Sequence, residues 1–128
     1  MNDPTIQKGR ALVLAGPQGC GKTKLARELA AAHGTFVETD ERALRNPFRL
    51  GNLLARNPAT IIVDEVPAAL IAAAETRQLV ASERIVMHLK MREEQEVPSP
   101  NFIFCTSDTE PLKHLDGRWF RVVRIQTT

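Results

Sequence analysis

The chain has 128 residues and a mass of 14.2 kDa, which suits one domain and leaves no room for a second hydrophobic core. Hydrophobic residues make up 43% and charged residues 25%, a globular composition that argues against disorder, and the net charge of +2 is too small to indicate nucleic-acid binding by itself. Only two cysteines are present, which argues against a disulfide scaffold. The sequence has no apolar run of about 18 residues, which argues against a membrane protein. The first ten residues lack the apolar stretch of a signal peptide, which argues against a secreted protein. We therefore expect a cytoplasmic protein in which residues 1–128 form a single domain.

Short apolar runs alternate with segments of helical periodicity along the chain. A buried strand is predicted at 11–15, a helix at 22–33, a strand at 35–39 and a helix that starts at 46–47 and ends before 57–58. A third strand at 60–63, an alanine-rich helix from 67 to about 81, and strands at 101–105 and 121–126 follow. Strands that alternate with helices form a parallel sheet with helices on both faces, so we predict a three-layer α/β fold with a five-stranded, mostly parallel sheet.

The segment 85–97 permits two interpretations. Every second residue from 85 to 91 is a large apolar one, and the residues between them are Val86, His88, Lys90 and Arg92, a period of two that is typical of a strand with one apolar face. A turn at Glu93 and Glu94 would return the chain at 95–97 as a β-hairpin. The alternative is a helix that continues the alanine-rich one, because Met, Leu, Lys, Arg and Glu all favour helices. The alternation favours the hairpin.

A glycine-rich turn between the first strand and the first helix matches the pattern G-x-x-x-x-G-K-S/T in full. Glycines let successive backbone N–H groups point at phosphate oxygens, and the helix adds the positive end of its dipole. Lys22 would reach the β- and γ-phosphates, and the hydroxyl of Thr23 would ligate Mg²⁺. The pattern therefore predicts that ATP and Mg²⁺ bind here. Its members are Gly16, Pro17, Gln18, Gly19, Cys20, Gly21, Lys22 and Thr23.

Two adjacent carboxylates end the third predicted strand. Asp64 can hold the Mg²⁺ through water, and Glu65 can face and polarise the water that attacks the γ-phosphate. The alternative is that both residues cap the helix predicted to begin at Pro67. After a complete phosphate loop, the pair favours a nucleotide hydrolase.

The segments GPQGCGKT, IIVDE, FIFCTSD and GRWFRV resemble the core of AAA+ ATPases, and within these the chain is most similar to the superfamily-three helicase ATPases of small viruses, phages and plasmids. The resemblance covers residues 10–125 and implies a P-loop ATPase that acts as a ring, expected to be a hexamer, in phage or plasmid DNA replication. In that family a polar residue at the end of the fourth strand senses the γ-phosphate, which corresponds to Thr106, Ser107 and Asp108 here. The family prefers Asn at the position of Asp108. A carboxylate cannot donate to phosphate and would repel it, so either Ser107 or Thr106 takes the role or hydrolysis is impaired. The alternative is that 106–108 is an ordinary loop of turn-forming residues.

The resemblance also implies two groups of basic residues. An arginine that reaches the γ-phosphate of a neighbouring subunit corresponds best to Arg118, with Arg121 and Arg124 as alternates and an ordinary surface arginine as the other interpretation. A basic hairpin that tracks single-stranded DNA in the ring channel corresponds to His88, Lys90 and Arg92. These three residues equally suit a solvated strand face, and the acidic residues nearby would weaken attraction to phosphates.

Unlike members of that family, this chain is expected to lack an origin-binding or primase region, a helical oligomerisation segment and a C-terminal helical lid. We therefore expect a minimal ATPase core that depends on a partner protein for any helicase work. One alternative is a small P-loop kinase, in which the acidic residues of segment 36–40 would bind an acceptor hydroxyl. The other is a nucleotide-gated assembly module that does not hydrolyse ATP, suggested by Asp108. A GTPase is disfavoured because the guanine-reading N-K-x-D pattern is absent.

Overall fold

A computed structural model of the protein describes residue 6, residues 9–108 and residues 115–125. Within these residues the strands are Ala11–Ala15 (β1), Phe36–Asp40 (β2), Thr60–Asp64 (β3), Arg84–Met87 (β4), Gln95–Pro98 (β5), Asn101–Thr106 (β6) and Phe120–Arg124 (β7). The helices are Lys22–His33 (α1), Arg42–Arg45 (α2), Pro47–Leu54 (α3), Ala68–Ile71 (α4) and Ala74–Ala81 (α5). None of the helices in these described ranges has the length and apolar character needed to cross a membrane.

Five strands form a sheet in the order β2-β3-β6-β1-β7, and every neighbouring pair is parallel. The predicted five-stranded parallel sheet is therefore confirmed. Because all five strands run the same way, the residues that follow them lie at one edge of the sheet. β6 lies between β1 and β3, so the segment after β6 lies between the phosphate loop after β1 and the carboxylates that end β3.

Side chains of the central strands alternate between two apolar cores, one on each face of the sheet. Leu12 and Leu14 pack with Ala26 and Ala30 of α1. On the other face, the adjacent residues of β1 pack in a core that includes residues of α3, α4, α5 and the β4–β5 hairpin. Burying one aliphatic side chain of this kind stabilises the fold by roughly 1.5–3 kcal/mol. The predicted three layers are thus confirmed, with α1 on one side of the sheet.

The alanine-rich segment does not form one continuous helix, so the prediction of a helix from 67 to about 81 is wrong in this respect. The segment folds as α4 and α5, and Ala73 between them is extended, with φ −65° and ψ 147°. The buried hydroxyl of Thr76 donates to the carbonyl of Leu70 at 2.8 Å. This side-chain hydrogen bond satisfies a carbonyl at the end of α4.

β4 and β5 pair antiparallel, with Ile85 opposite Val97, which confirms the hairpin and excludes the helical alternative. The first strand is shorter than predicted, because it ends at Met87 instead of continuing to 92. The backbone of His88 lies directly against α3, since a Cβ added to Gly51 would be 1.9 Å from the His88 carbonyl oxygen. The close approach of α3 accompanies the end of regular pairing at this point.

Candidate nucleotide-binding site

The loop from Gly16 to Gly21 connects β1 to α1 and has a backbone that only glycines adopt readily. Gly19 and Gly21 have φ values of +83° and +92°, in the left-handed region. Gly16 is confined for a different reason, because an added Cβ would lie 2.5 Å from the carbonyl oxygen of Ile125. No side chain caps the start of α1, where the backbone N–H groups suit an anion.

Lys22 connects this loop to the end of β6. The residue is only 4% exposed, and its Nζ donates to the carbonyls of Gly16 at 2.9 Å and Pro17 at 3.3 Å. The same Nζ donates to Ser107 Oγ at 3.3 Å. The buried ammonium group of Lys22 therefore lies between the loop after β1 and the end of β6.

Thr23 and Asp64 form the second contact across the site. Thr23 Oγ1 donates to Asp64, with 3.2 Å to each carboxylate oxygen. Asp64 Oδ1 also accepts from the backbone N–H of Glu65 at 3.1 Å. A hydroxyl and a carboxylate are oxygen ligands of the kind that Mg²⁺ prefers, so this pair fits a magnesium ion that also binds phosphate oxygens.

Glu65 lies beside the phosphate loop in a strained backbone conformation. Its φ is +51°, in the left-handed region that non-glycine residues seldom adopt. The side chain is exposed and lines a pocket of about 370 Å³ over the loop. The other lining residues are Gln18, Gly19, Gly21, Lys22, Thr23 and Lys24. Sequence analysis did not single out Lys24, although its place directly after the motif at the start of α1 was a signal for it.

The three polar residues at the end of β6 point to different partners. Ser107 contacts Lys22, as described above. Thr106 is buried, and its hydroxyl accepts from the backbone N–H of Asp108 at 3.1 Å. Asp108 Oδ2 accepts from the backbone N–H of Ala68 at 3.1 Å, so this carboxylate is bonded to the first residue of α4. Of the three, Ser107 is therefore the residue in contact with Lys22.

Arg118 lies at the opposite edge of the sheet from the phosphate loop. It precedes β7, whereas the loop follows β1, and these two strands are parallel neighbours. Its guanidinium pairs with Asp116, with Nη2 2.8 Å from Oδ2, and lies 6.0 Å from the centre of the Trp119 ring. These hydrogen bonds lower the pKa of Asp116 to about 2. The side chain of Arg118 is 78% exposed in this ion pair.

The alternates Arg121 and Arg124 belong to β7 itself. Arg121 lies opposite Leu12 within the strand, and Arg124 lies opposite Ala15, at the phosphate-loop edge. These positions differ from that of Arg118, which is outside the strand.

The basic residues of the hairpin lie in the loop between β4 and β5 and not on a strand face. Lys90 and Arg92 are exposed. The half-buried His88 has Nδ1 3.4 Å from a carboxylate oxygen of Glu94, and its ring meets Phe48 edge-on at 6.2 Å. Lys90 and Arg92 are therefore the residues of this group with the most accessible charge.

A family model described as "ATPase family associated with various cellular activities (AAA)" matches residues 12–127. The chain belongs to the AAA family. No curated protein sequence matches it. Solved structures with a similar fold include an apo C-terminal region of NrS-1, with 22% identity and a TM-score of 0.71, covering 94% of this chain and 30% of that one. JCV helicase bound to a small molecule has 21% identity and a TM-score of 0.59, and the match covers 94% of this chain and 37% of that one. The chain thus spans about a third of the length of these structures.

The acidic residues that suggested a kinase have partners within this AAA domain. Glu38 pairs with Arg27 of α1, with Nη2 at 3.0 Å from Oε2. Asp40 pairs with Arg42 at 2.7 Å, and the hydrogen bonds from Arg42 lower the pKa of Asp40 to about 2. Both carboxylates therefore accept hydrogen bonds from exposed arginines, in ion pairs at the protein surface.

Proposed function

We propose that this AAA domain binds ATP with Mg²⁺ and hydrolyses the γ-phosphate, slowly as a single chain and faster in a ring of identical subunits. The observation that carries the proposal is the convergence of four polar residues at one edge of the sheet. Lys22, Thr23 and Glu65 line the pocket beside the phosphate loop, and Asp64 accepts from Thr23 next to it. A family match, by itself, supports nucleotide binding and leaves the reaction open.

Each residue has a distinct role in this proposal. Lys22 and the loop N–H groups bind the phosphates, and Thr23 with Asp64 holds the magnesium ion, which neutralises charge on the phosphate oxygens when bound. Glu65 accepts a proton from the attacking water, and its exposed carboxylate beside the loop supports that assignment. Ser107 senses the γ-phosphate through its contact with Lys22.

Arg118 completes the site of a neighbouring subunit. It cannot serve the phosphate loop of its own chain from the other edge of the sheet, and it is exposed beside Trp119. A head-to-tail contact that brings the Arg118 edge of one chain to the phosphate edge of the next generates a ring when the rotation closes. A hexamer is the expected size from the resemblance to superfamily-three ATPases.

A role in phage or plasmid DNA replication is the most specific part of the proposal. It is supported by the helicase among the similar folds and by the exposed Lys90 and Arg92 in the hairpin loop. Single-stranded DNA is the expected ligand of that loop, and a replication protein is the expected partner. The free cysteines Cys20 and Cys105 suit a cytoplasmic location.

The decisive experiment measures ATP hydrolysis per chain against protein concentration, with and without single-stranded DNA. Wild type should show activity that rises with concentration, whereas Glu65→Gln should bind ATP and lose hydrolysis. Arg118→Ala should lose the concentration-dependent part, and Arg56→Ala, which removes another exposed arginine, is the matched control. Absence of hydrolysis at every concentration, with ATP still bound, would contradict the proposal and favour a non-hydrolysing assembly module.

A mixing experiment tests the contribution between subunits. Glu65→Gln and Arg118→Ala chains should each be nearly inactive alone. In an equal mixture, about a quarter of the head-to-tail contacts would join an intact Glu65 to an intact Arg118 and regain activity. A mixture as inactive as its components would contradict the assignment of Arg118 to the neighbour's site.

A further inference from the structure

The first N–H of α4 is bonded by a side chain from a different part of the chain. Pro67 precedes this helix and provides no side-chain capping hydrogen bond. Asp108, 40 residues later, supplies the acceptor, with Oδ2 3.1 Å from the Ala68 nitrogen. A carboxylate that accepts from a backbone N–H forms a charge-assisted hydrogen bond, which is stronger than one between two neutral groups.

Two hydrogen bonds to the end of β6 thus hold the segment that follows Glu65. Val66 N donates to the carbonyl of Cys105 at 2.9 Å, and Ala68 N donates to Asp108 as described. Glu65 lies directly before this segment in a left-handed conformation, with φ +51°. Such a conformation persists only when the surrounding structure holds it, because it is unfavourable for a residue with a side chain.

We infer that Asp108 is a positioning residue, which holds the segment 65–68 so that Glu65 faces the attacking water, and that it does not sense phosphate itself. This inference rests on the proposed function, since it assumes hydrolysis through Glu65. Asp108 also follows Ser107, whose hydroxyl contacts Lys22. The end of β6 therefore joins the phosphate-binding lysine to the segment that carries the proposed base.

The hydrogen bond fixes where the Asp108 side chain is directed. The carboxylate keeps its negative charge, but Oδ2 accepts from the backbone N–H of Ala68, so the side chain is oriented toward the start of α4. Asn would keep an acceptor oxygen for Ala68, whereas Ala would leave that N–H without its acceptor. The two substitutions therefore separate the positioning role from phosphate repulsion.

The test compares Asp108→Ala, Asp108→Asn and the control Glu28→Ala, which removes an exposed carboxylate from α1. The kcat and KM for ATP, the affinity for a fluorescent ATP analogue and the amide hydrogen exchange of Ala68 are measured in each. We expect Asp108→Ala to lower kcat about tenfold with analogue affinity within about twofold, and Asp108→Asn to recover the rate to within about threefold. Exchange at Ala68 should accelerate in the Ala variant alone.

Three outcomes would overturn the inference without affecting the proposed function. The first is an unchanged kcat in Asp108→Ala. The second is a higher rate in both Asp108 variants, which phosphate repulsion predicts. The third is a loss of ATP-analogue affinity in Asp108→Ala as large as its loss of kcat. If Asp108→Ala does not fold, Asp108→Asn still tests the inference. A rate several-fold above wild type, or loss of hydrogen-exchange protection at the Ala68 amide in this variant, would contradict the positioning role of Asp108. Wild type without hydrolysis, or Glu65→Gln as active as wild type, would overturn the proposed function and this inference together.

Discussion

Thr23 Oγ1 lies 3.2 Å from both carboxylate oxygens of Asp64, although the two residues are 41 positions apart. The contact crosses β6, the strand that separates β1 from β3. It joins the start of α1 to the end of β3, so the two proposed magnesium ligands come from different elements. Their relative position depends on the packing of α1 against the sheet.

The substitution Asp64→Asn is expected to weaken magnesium binding without abolishing ATP binding. Asn keeps an oxygen for Thr23 and loses the negative charge that attracts the cation. The Mg²⁺ concentration that gives half-maximal hydrolysis should rise by about tenfold or more, equivalent to about 1.4 kcal/mol. A magnesium titration of activity measures this, with Glu28→Gln as the charge-matched control. An unchanged midpoint would contradict the assignment of Asp64.

The Asp116–Arg118 pair should have a pH dependence set by the low pKa of the carboxyl. Hydrogen bonds from Arg118 lower the pKa of Asp116 from 3.8 to about 2. A lowered carboxyl pKa means that the pair stabilises the fold fully above the ordinary value of 3.8 and that this contribution disappears as the pH falls through about 2. A carboxyl NMR titration should give that low value and return toward 3.8 in Arg118→Ala. Identical titrations in the two proteins would show that the pair does not form.

Alkylation of Cys20 is expected to block nucleotide binding. Cys20 is partly exposed within the phosphate loop, so an attached group would occupy space that the phosphates need. Cys105 is the internal control, because it is buried and desolvation raises the pKa of its thiol to about 12. Mass spectrometry identifies the modified thiol, and fluorescent-nucleotide titration measures affinity. Unchanged affinity after complete modification of Cys20 would disprove this prediction.

Gly51→Ala should destabilise the protein even though Ala favours helices over Gly by about 1 kcal/mol. The added Cβ would lie 1.9 Å from the carbonyl oxygen of His88, so α3 and the hairpin would have to move apart. Overpacking of this kind costs about 1–3 kcal/mol, and a contact with backbone belongs at the upper end. Urea unfolding measures the change. Gly117→Ala, where an added Cβ meets nothing within 4 Å, should leave stability nearly unchanged.

Removing the two exposed charges of the hairpin loop should weaken binding of single-stranded DNA. The double variant Lys90→Ala/Arg92→Ala should lower the affinity and reduce its salt dependence, because phosphate contacts release counterions. Arg56→Ala/Arg77→Ala removes the same charge from two other exposed arginines and serves as the control. Fluorescence anisotropy with a labelled oligonucleotide at several salt concentrations decides the matter. Equal loss in both double variants would indicate nonspecific attraction only.

The sequence determined the parts of this protein that depend on neighbouring residues. The apolar runs predicted the parallel sheet, which the structure confirms. The phosphate-loop motif also lies between a strand and a helix, as its pattern predicted, because its glycines set the local backbone. The alternation that begins at Ile85 predicted the hairpin correctly, since Ile85 and Met87 are buried whereas Arg84 and Val86 are exposed.

The tertiary structure decided the features that depend on distant partners. The hydrogen bond of Thr76 accompanies the break between α4 and α5, which the alanine-rich sequence does not predict. The contact of Gly51 with His88 accompanies the early end of β4, which the alternation of residues does not predict. The Asp108 side chain is oriented by its hydrogen bond with the Ala68 N–H. These two residues are close to each other because β6, which precedes Asp108, lies beside β3, which precedes Ala68. A sequence specifies which donors and acceptors exist, whereas packing of the sheet and helices determines which of them meet.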